Sequence, residues 1–77
     1  MRNFRPISTR CWQMYLTLMG FSYKRTKGSH DQWGKGEYRT IPVRGNEKQV
    51  PPLHLKTGCS TIGVTMQELY KWADENC

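Results

Sequence analysis

The sequence predicts a small α+β domain whose elements follow the order α-β-β-β-α-α. Three observations support this prediction: a helical apolar pattern near the N-terminus, a change to strand-like alternation with closely spaced glycine turns, and a helix-capping motif near the C-terminus. A chain of 77 residues suffices for one domain with a thin core. We therefore expect a single domain over residues 1–77, too small for a dinucleotide-binding or barrel fold.

The first predicted helix covers residues 7–19. Ser8 or Thr9 can cap its N-terminus, and Gly20 suits the left-handed residue that ends a helix. Its apolar side chains recur at helical spacing, which is more typical of a core-facing stripe than of a ligand site. This stripe consists of Cys11, Trp12, Tyr15, Leu16 and Met19.

Three short strands are predicted next, at residues 21–24, 29–33 and 38–43. Glycine-containing turns separate them, the first at residues 26–28. Pro42 cannot donate a ladder hydrogen bond, so the third strand is expected to lie at a sheet edge or to end at this residue. Short turns between consecutive strands indicate a three-stranded antiparallel sheet.

A polar connection over residues 44–50 leads to two further predicted helices. The first covers residues 53–62 and contains Gly58, which weakens a helix by about 1 kcal/mol relative to alanine. A Thr-Met-Gln-Glu capping box opens the last helix, which runs from residue 66 to about residue 76.

Positive charge is concentrated in the first two thirds of the chain. The protein has 12 Lys and Arg against 6 Asp and Glu, a formal net charge of +6, and ten of the basic residues precede residue 49. Such a balance suits a polyanion, although a solvated basic surface has the same composition. Because the basic residues concentrate on the predicted strands, a DNA-binding helix-turn-helix is disfavoured.

The cysteines indicate a reduced protein, and the hydropathy pattern indicates one without a membrane span. Cys11, Cys59 and Cys77 form no CxxC pair, which argues against a disulfide framework and a structural zinc site. No apolar run approaches the roughly 20 residues of a membrane span, and no signal-peptide pattern is present. We therefore expect a cytoplasmic protein with no metal, no cofactor and no membrane association.

The most informative stretch combines three cations, a hydroxyl, a glycine and an imidazole in one hairpin. Gly28 permits close approach of a phosphate to the backbone, and Lys27 and Ser29 can contact its oxygens. If Trp33 faces the core, strand alternation places His30 on the open face of the sheet. A lone strand histidine beside cations is usually an ordinary surface residue, so these residues alone favour that role over catalysis. The stretch is Lys24, Arg25, Thr26, Lys27, Gly28, Ser29 and His30.

The chain from Phe21 onward resembles the HicA toxins of bacterial and archaeal toxin–antitoxin systems, also called YcfA-like proteins. The similarity includes the Lys-Gly-Ser-His element at residues 27–30 and the hydrophobic-proline stretch at residues 40–43. It continues through the later helix and glycine turn at residues 55–65 and, with the amphipathic first helix, covers nearly the whole chain.

This resemblance implies a fold like the double-stranded-RNA-binding domain (dsRBD), with helices covering one face of the three-stranded sheet. It also implies ribonuclease activity on messenger RNA and a HicB-type antitoxin that binds and masks the toxin. The family's catalytic histidine falls on His30. Members often carry a second histidine shortly after the third-strand proline, where this sequence has Arg44. His54 is expected to be a surface residue at a helix start.

The reaction expected from the resemblance needs no metal. His30 acts as a general base on a ribose 2′-hydroxyl, which attacks the adjacent phosphorus and leaves a 2′,3′-cyclic phosphate. Nearby cations stabilise the charge that develops on the phosphate oxygens. The residues expected to contact RNA are Lys24, Arg25, Lys27, Gly28, Ser29, Arg39 and Arg44.

Two other functions fit the same residues. In a non-catalytic RNA-binding module, the basic sheet face would hold RNA, and replacing His30 would weaken binding without removing a cleavage product. In a protein-interaction domain, the basic face would bind an acidic partner, and this binding would not compete with RNA.

Overall fold

The computed structural model describes residues 4–77, so the first three residues of the predicted domain lie outside the described residues. The described chain forms three helices and five short strands around one cluster of buried apolar side chains. In chain order the elements are β1 (Ile7–Ser8), α1 (Thr9–Leu18), β2 (Ser22–Lys27), β3 (His30–Gly34), β4 (Ile41–Val43), β5 (Gln49–Val50), α2 (Pro52–Ile62) and α3 (Met66–Asn76).

The predicted α+β class and the three-stranded antiparallel sheet are confirmed. The sheet has the strand order β2-β3-β4, so β4 and its proline lie at an edge, as expected. Within β4, Ile41 and Val43 are buried, whereas Pro42 between them is exposed. The sheet at β4 therefore has an inner face toward the core and an outer face toward solvent.

A small second sheet was not predicted. Ile7 pairs with Val50 in an antiparallel β1–β5 ladder, and the amide of Thr9 donates to the carbonyl of Lys48 at 2.8 Å. The helix prediction is therefore wrong at residues 7–8, and the predicted polar connection contains a strand. Two-residue strands are too short to show alternation in a sequence. Ser8 still caps α1, because its hydroxyl accepts from the amide of Cys11 at 3.1 Å.

The first hairpin differs from its prediction in the position of its turn. β2 continues to Lys27, which pairs with His30, so the turn consists of Gly28 and Ser29 instead of residues 26–28. Gly28 has φ +62°, a left-handed conformation that favours glycine. All six residues of β2 are exposed, so this strand adds little to the core.

The third strand is shorter than predicted and contains only Ile41–Val43. Residues 35–40 form a connecting segment, in which the amide of Tyr38 donates to the carbonyl of Lys35 at 2.9 Å. The ring of Tyr38 packs edge-on against buried Phe21, with 5.5 Å between ring centroids.

The core lies between the helices and the inner face of the sheet. The predicted stripe of α1 is confirmed: its first four members are buried, and Met19 packs against the core. The hydroxyl of Thr65 accepts from the amide of Glu68 at 3.0 Å, which confirms the N-cap of α3. Leu69 is fully buried and Val64 packs against the core, as the capping motif predicts. Gly63, at φ +94°, ends α2 as predicted.

Gly58 allows a close approach between α2 and α1. A Cβ atom at this position would lie 2.5 Å from Cζ2 and 2.9 Å from Cη2 of Trp12, which is shorter than non-bonded atoms tolerate. Trp12 is itself only 1 % exposed, so its ring has little room to move. Gly58 is therefore a packing requirement and not merely a weak point of the helix.

Cys11 and Cys77 form a disulfide that links the start of α1 to the end of α3, with 6.2 Å between their Cα atoms. The expectation of reduced cysteines is wrong for this pair. Cys59 is a free, buried thiol, and burial, together with the negative charge of Glu68, raises its pKa to about 11. Three cysteines allow at most one disulfide within the chain, and the lack of a CxxC pair did not exclude that one.

Within residues 4–77, no helix is long and apolar enough to cross a membrane.

We expect Gly58→Ala to lower the free energy of unfolding by about 2 kcal/mol. The Cβ clash with Trp12 is severe, so overpacking should cost close to the upper value of about 3 kcal/mol. Alanine returns only roughly 1 kcal/mol of this through its helix propensity. Urea denaturation measures the change, and Thr57→Ala at the exposed neighbouring position is the control. A Gly58→Ala protein as stable as the wild type would contradict the Trp12 contact.

We expect Cys77→Ser to lower the free energy of unfolding by about 2–4 kcal/mol, because the disulfide closes a long loop and restricts the unfolded chain. A reducing agent should lower the stability of the wild type by a similar amount and leave Cys77→Ser unchanged in urea denaturation. Mass spectrometry of the intact wild type should show the gain of two hydrogens on reduction. An unchanged mass would contradict the disulfide.

Candidate active site

His30 is the first residue of β3 and directly follows the glycine turn. Lys27 lies opposite it across the β2–β3 ladder, and Arg25 lies opposite Gln32. Paired residues of an antiparallel ladder project to the same face, as do residues two apart along a strand. The register therefore places Arg25 and Lys27 on the face that carries His30.

This face is the outer face of the sheet. Gln32 pairs with exposed Pro42, whereas Trp33 pairs with buried Ile41. His30 shares the face of Gln32, so the register agrees with the predicted open-face position of the imidazole. The side chain of His30 is partly buried, unlike the fully exposed strand β2 beside it.

Arg44 contacts the imidazole directly. Its Nε donates a hydrogen bond to Nε2 of His30 at 3.2 Å. Nε2 consequently carries a lone pair, and the proton of the neutral ring is on Nδ1. Arg25 and Lys27 share the outer face of the sheet with His30, and we call these three residues and Arg44 the His30 cluster.

A cavity of about 150 Å³ lies between the sheet edge and α2. His30 lines it from β3, and His54 lines it from the first turn of α2. The sequence predicted a surface position for His54, and its side chain is exposed, but its place beside this cavity was missed. The remaining lining residues are Thr40, Ile41, Pro42, Thr57, Gly58 and Thr61.

Two further hollows adjoin this two-histidine cavity. One, of about 70 Å³, is lined by Arg44 and Glu47 and shares Pro42 and His54 with the cavity. The other is a shallow groove that shares Thr57 and Thr61 with the cavity. Through these shared residues the three hollows lie next to one another along α2, and we call them together the trough.

Arg39 lies at the shallow groove and not beside His30. Arg39 belongs to the segment before β4 and lines this groove together with Lys56 of α2. The structure therefore does not place it in the His30 cluster, although both adjoin the same trough. Lys56 adds a cation that was not among the residues expected to contact RNA.

The other predicted contact residues remain on the hairpin. Gly28 and Ser29 form the turn next to His30. Lys24 sits at the irregularity of β2, and its aliphatic chain passes over Gly34, where a Cβ atom would lie 3.3 Å from its Cγ.

Acidic side chains do not orient the imidazole in the part of the chain that the structure describes. Asp31, the neighbour of His30, accepts a hydrogen bond from the hydroxyl of Thr26 at 2.8 Å, on the opposite face of the sheet. Nor do three His, Cys, Asp or Glu side chains gather into a possible metal site anywhere in residues 4–77. The imidazole is oriented by a cation instead of a carboxylate.

Comparison with known proteins found no matching family, no similar curated protein and no similar solved structure.

We expect Arg44→Met to change the tautomer of neutral His30, because the variant cannot donate to Nε2. Nitrogen-15 NMR should show the Nδ1–H tautomer in the wild type and a shift toward the Nε2–H tautomer in Arg44→Met. Arg25→Met, which removes a cation from the same face without touching Nε2, is the matched control and should keep the wild-type tautomer. A wild-type ring protonated mainly on Nε2 would contradict the contact.

Proposed function

We propose that this protein is an endoribonuclease that cleaves messenger RNA without a metal ion, as the toxin of a HicA-like toxin–antitoxin pair. The observation that carries the proposal is the His30 cluster: an imidazole whose unprotonated Nε2 accepts from Arg44, on the sheet face that also carries Arg25 and Lys27, at a cavity that forms part of the trough. This arrangement combines a proton acceptor with the charges that bind a phosphodiester. The proposed overall fold is correspondingly dsRBD-like.

The substrate class follows from charge and chemistry. Cations hold a polyanion mainly through its phosphates, which makes nucleic acid a suitable ligand. A base without a metal can cleave RNA because RNA supplies its own nucleophile, the 2′-hydroxyl, whereas DNA has none. The trough, with Arg44 lining one outer hollow and Arg39 and Lys56 lining the other, suits the path of a single RNA strand.

The proposed reaction begins when Nε2 of His30 takes the proton of a 2′-hydroxyl. The 2′-oxygen attacks phosphorus, the bond from phosphorus to the 5′-oxygen breaks, and a 2′,3′-cyclic phosphate forms. Arg44 turns from Nε2 to a non-bridging oxygen, because its planar donors match a phosphate. Lys27 and Arg25 stabilise the same developing charge from the neighbouring strand.

The β2–β3 turn and the cations outside the His30 cluster would position the RNA strand. Ser29 and the backbone at Gly28 contact a phosphate next to the scissile one, because glycine leaves room for close approach. Lys24 and Arg39 contact more distant phosphates. These contacts supply affinity that depends on salt and not on sequence.

A HicB-type antitoxin is the proposed protein partner, and the cytoplasm is the proposed location, where messenger RNA is present. Both rest on the resemblance of the 27–30 element and of the surrounding chain. Cytosolic thiols are generally kept reduced, so in that compartment Cys11 and Cys77 would be thiols and the domain less stable.

The first experiment incubates a long single-stranded RNA with the wild-type protein in excess EDTA. We expect cleavage that leaves cyclic phosphate ends, no cleavage of the matched DNA strand, and a loss of about 10²–10⁴-fold in His30→Ala, the usual contribution of a positioned base. Gel analysis with end-group detection measures the products. Induced in bacteria, the wild type should arrest growth and His30→Ala should not.

Three outcomes oppose the proposal. Equal cleavage by the wild type and His30→Ala would remove His30 as the base. Cleavage that stops in EDTA would show a metal-dependent reaction. Retarded but uncut RNA with both proteins would favour the non-catalytic RNA-binding module, for which the fully exposed basic strand β2 is already suited.

A further inference from the structure

We propose that His54 is the general acid of this site and protonates the 5′-oxygen leaving group. This proposal rests on the proposed ribonuclease function and deepens it, because a base alone does not explain how an alkoxide of high pKa leaves. The observation behind it is that His54 and His30 line one cavity from two different elements of the fold.

The backbone of His54 is fixed while its imidazole is free. The residue lies in the first turn of α2, where its amide donates to the carbonyl of Pro51 at 3.0 Å. No hydrogen bond from any residue in the described range 4–77 holds its ring nitrogens. Histidine is also the side chain whose charge ordinarily changes near neutral pH, so it can deliver a proton and be recharged from water.

A phosphate bound beside His54 would also lie close to His30 and Arg44. It lines the two-histidine cavity together with His30 and the adjoining hollow together with Arg44. Pro42 of β4 lines both hollows as well. A phosphodiester at their junction would have the base, the guanidinium and a second imidazole within one small volume.

The other side chains of these two hollows are poor proton donors. A guanidinium group and threonine hydroxyls are too weakly acidic to donate a proton to the leaving group. Glu47 lines the hollow beside Arg44 but not the two-histidine cavity that His30 lines. Apart from His30, which acts as the base, His54 is therefore the one residue of suited chemistry among those that line these two hollows in the described part of the site.

The complete step balances as follows. Nε2 of neutral His30 takes the 2′-hydroxyl proton as the 2′-oxygen bonds to phosphorus. The bond from phosphorus to the 5′-oxygen breaks, and that oxygen takes a proton from the imidazolium of His54. The products are a 2′,3′-cyclic phosphate and a 5′-hydroxyl; the protein is left with a protonated His30 and a neutral His54, and exchange with water restores both.

The test compares two leaving groups at one cleavage site. A short RNA containing the site that the wild type cuts first is made with the normal 5′-oxygen and with sulfur in its place, because a thiolate leaves without being protonated. We expect His54→Ala to cleave the oxygen substrate about 10²–10⁴-fold more slowly than the wild type and the sulfur substrate at nearly the wild-type rate. His30→Ala should be slow on both.

Gln67→Ala is the matched control, since its exposed side chain lies in the first turn of α3 and lines none of the three hollows. It should cleave both substrates as the wild type does. His54→Gln, checked for an unchanged unfolding midpoint, should reproduce the leaving-group dependence of His54→Ala and so exclude a folding defect.

The outcomes distinguish the acid role of His54 from the proposed ribonuclease function. A wild type that cleaves neither substrate would overturn the ribonuclease and the acid together. An active wild type whose His54 variants cut the oxygen substrate normally, or lose both substrates equally, would overturn the acid role alone and leave His30 as the base.

Discussion

The contact between the Trp12 ring and Gly58 determines where α2 lies, and the position of α2 determines the candidate site. The ring occupies the space in which any side chain at residue 58 would stand, and Ile41 of β4 lies 3.7 Å from the same point. Helix α1, helix α2 and the edge strand therefore meet at one glycine. The two-histidine cavity is bordered by Gly58 and Ile41, so this close packing sets how far α2 stands from the sheet edge.

The two edge strands of the sheet, β2 and β4, differ in how much of their surface is buried. At β4, alternating buried residues attach the sheet to the core, whereas β2 is exposed along its whole length. A strand without buried side chains contributes little hydrophobic stabilisation and is expected at the low end of local stability. Its cations are also fully available to a ligand. The feature that weakens the fold at β2 is the one that makes the hairpin suitable for binding a polyanion.

Local chemistry made much of this architecture predictable. The capping residues Ser8 and Thr65 are where the sequence indicated, because a hydroxyl near an orphan amide is a short-range interaction. The edge position of Pro42 follows from its missing amide hydrogen, and the open-face position of His30 follows from the two-residue period of a strand. These features depend on residues only a few positions apart.

The features that were missed depend on residues far apart in the chain. The β1–β5 ladder pairs Ile7 with Val50, and the disulfide joins residues 66 positions apart. Nothing within either short segment indicates its partner. The position of His54 beside the two-histidine cavity was missed for the same reason, since no local pattern shows that the start of α2 borders the same cavity as the start of β3.

The hydrogen bond from Arg44 to His30 connects binding to catalysis in the proposed reaction. While Nε2 accepts from Arg44, its lone pair cannot accept a proton from a 2′-hydroxyl. A phosphate competes for the guanidinium, because charge-assisted bidentate bonds are stronger than a single bond to a neutral imidazole. Substrate binding would thus release the base at the moment when the scissile phosphate is in place. Arg44 would then protect His30 from unproductive protonation before RNA arrives and stabilise the developing charge afterwards, so that one side chain serves both states of the site.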